Sequence, residues 1–194
     1  MHRIVFATLL SLALPVASPA SAQVKATKPA KPARTPDCVY VGTPHDVIDK
    51  MLELADLKKD DVVYDLGCGD GRIMVAAARR AGCRSVGYDI NPLRIEEALE
   101  NIRTHGVGRL VTVEQEDIFT VDLRPASVVM LYLLPDMNLK LVPQLEELAP
   151  GSRIVIHDYD IEGIEADKSV TMTSLEDNTV HYVYLYTAPL KKEP

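Results

Sequence analysis

The stretch that most restricts the fold is residues 62–72, Val-Val-Tyr-Asp-Leu-Gly-Cys-Gly-Asp-Gly-Arg. A β-branched and apolar run over residues 61–66 that stops at glycines predicts a strand buried in a parallel sheet. Gly67 and Gly69 lack a Cβ and reach positive φ at little cost, so the chain turns sharply there and its backbone can approach a ligand closely. Residues 73–81 then predict a helix. Strand, glycine turn and helix in that order form the ligand-binding corner of a βαβ unit.

The alternation continues along the chain. Strands are predicted over 84–88, 110–113, 127–133 and 153–157, with helices over 92–105, capped by Asn91, and over 139–148, bent at Pro143. Before the first strand, Thr43-Pro44-His45-Asp46 predicts a helix start with Thr43 as N-cap and Pro44 at the first helical position. Val47, Ile48, Met51, Leu52 and Leu54 follow as its apolar face. Residues 170–175 and 180–186 alternate in character around Glu176-Asp177-Asn178-Thr179, which predicts an antiparallel hairpin. The expected fold is α/β: a Rossmann-like, mostly parallel seven-stranded sheet with helices on both faces and a C-terminal antiparallel hairpin.

The N-terminal region stands apart. Arg3, an apolar run over 4–16 and Ala20-Ser21-Ala22 have the order of a signal peptide, with cleavage expected after Ala22 and export to the periplasm or medium. The run is too short for a membrane span, which needs about 20 residues, so no stable span is expected after cleavage. Residues 23–36 are Lys, Ala, Pro and Thr with little to bury, and read as a disordered linker. The folded domain is expected over 37–194.

Arg3, Lys25, Lys28, Lys31 and Arg34 all precede Asp37, the first acidic residue. Removing these five from 21 basic residues leaves 16 against 28 acidic ones, a domain net charge of −12. Such a surface disfavours nucleic acid and favours cationic partners. Cys38, Cys68 and Cys83 have neither disulfide-framework nor zinc spacing, so they read as free thiols and no metal site is expected.

The glycine loop admits two ligands. A dinucleotide fingerprint, G-x-G-x-x-G, needs glycine at position 72, where this chain has Arg72. Asp65 and Asp70 flank the loop with negative charge, which opposes a pyrophosphate and suits a cation. Asp89 ends the second strand about 20 residues beyond the glycines, where an acid grips ribose hydroxyls. Residues 62–72 thus resemble the first motif of class I S-adenosylmethionine-dependent methyltransferases. The resemblance implies that Asp65, Gly67, Cys68 and Gly69 cradle the methionine part of S-adenosylmethionine, with Asp65 holding the loop and the cofactor's ammonium. It further implies that Asp89 and Ile90 bind the ribose side, and that Asp117 and Ile118 take the adenine amino group and ring.

A closer resemblance, over residues 38–160, is to a bacterial branch related to the mitochondrial ATP-synthase c-subunit lysine methyltransferases. It rests on Tyr40-Val41-Gly42-Thr43-Pro44, the run 64–73, and Leu131-Tyr132-Leu133-Leu134-Pro135 with Met137-Asn138. It implies that Tyr40 and Thr43 close over the cofactor and that the acceptor is a protein lysine. Tyr132, Leu134, Pro135, His157 and Asp158 follow the fourth and fifth strands and are the expected substrate pocket. No single catalytic residue is assigned, because methyl transfer from a sulfonium is an in-line displacement governed by alignment. A small-molecule methyltransferase, an aminopropyl transferase and an exported, non-catalytic S-adenosylmethionine- or nucleoside-binding module are the alternatives.

Overall fold

A computed structural model describes residues 35–193. The predicted signal peptide and nearly all of the predicted linker lie outside the described residues. Seven strands form one sheet in the order β3-β2-β1-β4-β5-β7-β6. The strands are β1 (Val62–Leu66), β2 (Arg84–Asp89), β3 (Val111–Gln115), β4 (Val128–Leu131), β5 (Arg153–His157), β6 (Lys168–Thr173) and β7 (Val180–Thr187). β1 to β5 are mutually parallel, whereas β7 inserts antiparallel between β5 and β6. Among the described residues no helix is long and apolar enough to cross a membrane.

Strand alternation distributes the core over two faces. Val63, Val128, Met130, Val155 and Val183 face one side, against α1 (His45–Leu54) and α2 (Arg72–Ala81). Tyr64, Leu66, Val129, Leu131, Ile154 and Ile156 face the other, against α4 (Pro135–Leu145). α3 (Pro92–Thr104) packs beside α2 through Ile95, Ala98 and Ile102. β4 is buried at every position, which is why it reads as an unbroken apolar run rather than an alternating one.

Two predicted helix starts are corrected. Thr43 does not cap α1: the residue before the helix is Pro44, and no side chain caps the first turn. The Thr43 hydroxyl instead lies 3.2 Å from His157 Nδ1, a tertiary partner that outcompetes the local cap. α4 begins at Pro135, not 139. Pro135 fits the first helical turn, where its missing N–H has no intrahelical acceptor to serve, and Pro143 lies within this helix. Asn91 caps α3 as expected, accepting from the Leu93 amide at 3.0 Å.

Candidate cofactor and acceptor site

The carboxyl ends of β1, β2 and β4 open into a cavity roofed by residues 36–43. The glycine loop forms its floor. Gly67 and Gly69 have φ of 76° and 54°, values that L side chains adopt only with strain. A Cβ on Gly69 would lie 2.1 Å from Tyr40 Cε2, so the Tyr40 ring rests directly on this glycine. Arg94 lies over the same ring, 4.6 Å from its centre. Arg72 completes the closure: its guanidinium forks onto Asp70 at 2.8–3.1 Å and donates to the Thr43 carbonyl at 3.0 Å.

The loop's own amides are consumed internally. Gly67 and Cys68 both donate to the Tyr88 carbonyl, at 2.8 and 3.0 Å, and Gly71 donates to the Cys68 carbonyl. Gly69 donates to Asp89 Oδ2 at 3.0 Å, while Asp89 Oδ1 accepts from the Asn91 amide at 2.8 Å. A phosphate-binding turn presents such amides to its ligand; this loop turns them back into its own scaffold. What it offers the cavity is negative charge.

Asp65 adds a carboxyl that a cation would ionise. It is 2% exposed, and its Oδ2 has no hydrogen-bond partner among the described residues. Burial, with the nearby Asp89 and Asp70 carboxylates, pushes it up to about 8. A buried carboxylate without a partner costs free energy that a cation would recover. Asp70 behaves differently: burial alone would raise it, but the Arg72 fork holds it below the usual carboxylate range. Burial raises the Cys68 thiol well above its ordinary value, which makes it an inert loop residue rather than a nucleophile. Cys38 and Cys83 are free thiols too.

Of the expected cofactor residues, the cavity lining brings together Tyr40, Thr43, Asp65, Gly67, Cys68, Asp89, Ile90, Asp117 and Ile118. Gly69 lies beneath Tyr40 and acts through its amide. The lining also includes Asp70, expected as a negative flank of the loop, and Leu133, expected as part of an acceptor wall, together with Arg72, Arg94 and Met137, which carry no expected site role. Asp70 and Arg72 adjoin the glycines and were detectable by charge; Arg94 reaches the cavity only through the packing of α3.

The acceptor side departs further from expectation. Tyr132 lines the cavity, but Leu134 and Pro135 do not: the chain turns into α4 there, leaving Leu134 44% exposed and placing Leu133 and Met137 on the wall. His157 and Asp158 are also absent from the lining. His157 is fully buried behind Tyr132, with ring centroids 3.9 Å apart. Burial pulls its imidazole down to about 4, so it is neutral. Burial, then Asp158, pushes the Tyr132 phenol up to about 12.

A seven-stranded sheet in this order, with an acidic glycine loop and strand-end carboxylates around one cavity, defines an S-adenosylmethionine-dependent methyltransferase. The model of the ANTKMT methyltransferase domain matches residues 65–168, and the chain belongs to that family. A protein-lysine N-methyltransferase of Saccharolobus islandicus is 43% identical over 153 residues, 78% of this chain and 94% of the relative. The adenine nucleotide translocase lysine N-methyltransferase of Mus musculus is 34% identical over 60% of this chain, which spans 51% of that relative's length. A solved structure described as an RNA methyltransferase from Salinibacter ruber in complex with S-adenosyl-L-homocysteine is 46% identical. It superposes with a TM-score of 0.71 over 79% of this chain and 97% of its own. The cofactor is S-adenosylmethionine, and the unpartnered Asp65 carboxylate facing a cation-seeking cavity fits it.

Proposed function

We propose that this chain methylates the side-chain amine of a protein lysine. The observation that carries the reading is the composition of this cavity, lined by the carboxylates of Asp65, Asp70 and Asp89 together with Tyr132, Leu133 and Met137. Two named relatives that act on protein lysine support it. Bound at the glycine loop, S-adenosylmethionine supplies an electrophilic methyl group on a sulfonium.

The residues of the chain supply the rest. Asp65 would pair with the cofactor's ammonium, and Asp89, already clamping the loop, would accept from the ribose hydroxyls with its remaining lone pairs. Asp117 would accept from the adenine amino group while Ile90 and Ile118 flank the ring. A lysine ammonium, with a solution pKa of about 10.4, must lose its proton before its nitrogen can attack. The apolar wall favours the neutral amine by desolvation, with the proton leaving to water. Tyr132 remains protonated at neutral pH and offers a hydrogen bond rather than a base, while neutral His157 positions the Tyr132 ring from behind. The remaining acceleration comes from alignment.

The domain charge of −12 favours a cationic acceptor over a polyanion, although the Salinibacter relative carries an RNA methyltransferase description. Radiolabelled cofactor offered in parallel to protein extract, RNA and small phenols decides the point. Label on protein lysine is expected; label confined to RNA or phenol overturns the acceptor and leaves methyl transfer standing. The chain is further proposed to be exported, on the strength of residues 1–22. Intact mass from the native cell should then give an N-terminus at Gln23, and retained Met1 on soluble cytoplasmic protein would reject it.

A further inference from the structure

Behind the Tyr132 wall, two histidines and an aspartate converge from different strands. β5 and β7 pair antiparallel with His157 opposite Val183, which brings His181 back alongside the end of β5. His157 Nε2 lies 2.8 Å from His181 Nδ1 and 3.3 Å from Asp158 Oδ2, and His181 Nδ1 lies 3.2 Å from Asp158 Oδ2. These three atoms form a triangle with one donor atom from each residue.

The triangle has the dimensions of a metal site. Ligands bound at about 2.0–2.2 Å are separated by roughly 2.9 Å at octahedral angles and about 3.4 Å at tetrahedral ones. The outward-facing atoms are also arranged as ligands require. His157 Nδ1 faces the Thr43 hydroxyl at 3.2 Å. His181 Nε2 faces Thr179 Oγ1 at 2.8 Å and Asp177 Oδ2 at 3.1 Å. Asp158 Oδ1 accepts from the Tyr182 amide at 3.0 Å. Each imidazole can therefore give its outer N–H to an oxygen and turn a lone pair inward, the arrangement by which protein groups orient metal-binding histidines. Asp158 is held at φ 63° to reach the triangle, a conformation uncommon outside glycine and more accessible to Asp and Asn than to most residues.

We propose that His157, Asp158 and His181 bind one divalent first-row transition cation of the zinc class. Two imidazoles and one carboxylate suit such ions better than magnesium or calcium, which prefer oxygen ligands alone. Three protein ligands leave a further coordination position open. The cation is a clasp: it joins β5 to β7, and through His157 it fixes the Tyr132 ring and the Thr43 end of the roof. It does not depend on the identity of the methyl acceptor.

Chelator-treated full-length protein titrated with Co²⁺, then with Zn²⁺ in competition, tests the site without any methylation assay. One equivalent of Co²⁺ should bind with visible d–d absorption and no thiolate charge-transfer band, Zn²⁺ should displace it, and thermal stability should rise on binding. Asp158→Asn keeps a residue suited to the positive φ and should weaken Co²⁺ at least tenfold; His181→Gln should do the same. No stoichiometric binding, unchanged affinity in both variants, or a thiolate band would overturn the proposal.

Discussion

The two ends of β1 carry buried aspartates four residues apart, and they serve opposite purposes. Asp61, at the amino end, is 6% exposed and fully partnered. It pairs with Arg153, accepts from Ser127 Oγ at 2.7 Å and takes the Lys58 amide at 2.6 Å. Asp65, at the carboxyl end, is buried more deeply, yet its Oδ2 has no partner among the described residues. Left without a partner, the Asp65 carboxyl holds its proton up to about pH 8, and ionises once a cationic ligand supplies the missing partner. The paired end is scaffold, and the unpaired end is where the cationic cofactor belongs.

The largest test of this contrast is removal of the paired carboxylate. Asp61→Ala leaves Arg153, whose side chain is 19% exposed, with only the Ala55 and Asp56 carbonyls as acceptors, and should destabilise the fold by about 3 kcal/mol, as read by denaturant titration. Cofactor affinity in the remaining folded protein should not change. If it falls as steeply as stability, the two ends of β1 are not separable.

Next is Gly69→Val. It imposes positive φ on a β-branched residue and drives its side chain into Tyr40, a strain of about 2–3 kcal/mol. Calorimetry should show cofactor binding weakened on the order of 100-fold by that strain. Near-normal binding would mean that the loop is not the cradle.

Asp65→Asn should move the two properties in opposite directions. Losing the ionisable carboxyl removes about 1.5–3 kcal/mol of binding to the cofactor's ammonium, while apo stability at neutral pH should rise because asparagine is buried without having to take up a proton. The sign follows from the raised carboxyl. With a folded value of about 8 and an ordinary unfolded value, the group stabilises the apo fold below about pH 4 and loses that contribution as pH rises toward 8. The variant should flatten this slope. Cofactor binding to the parent should also release a proton below pH 8, so affinity should rise up to about tenfold per pH unit. Calorimetry in buffers of different ionisation enthalpy measures it; no linked proton would mean that Asp65 is already ionised or is not the partner.

The smallest expected effect is on the acceptor side. Tyr132→Phe removes only a hydroxyl, and turnover should fall about fivefold, equivalent to about 1 kcal/mol, with cofactor affinity unchanged. A change confined to cofactor affinity would place Tyr132 with the carboxylates instead.

Legibility in the sequence follows the range of the signal. The strand-turn-helix corner was readable because positive φ at Gly67 and Gly69, the apolar run before them and the strand-end acids are all local. The α4 start is less legible, although Pro135-Asp136 carries the same proline-then-acid signature as Pro44-His45-Asp46, because the apolar run of 127–133 continues past the end of β4. Thr43 looks like a local cap because its partner, His157, lies 114 residues away.

By itself the sequence determined the alternating α/β order, the closing hairpin and the acidic glycine loop, since periodicity, glycine conformation and charge act over a few residues. Only the tertiary structure decided which buried carboxylate lacks a partner, which face of the 131–137 segment meets the cavity, and that His181 returns to His157 and Asp158. Asp61 and Asp65 look alike in the sequence. What separates them is whether Arg153, 92 residues away, has been carried to their side by sheet pairing. Such juxtapositions depend on strand order, above all on β7 inserting antiparallel beside β5, and no local propensity encodes that choice.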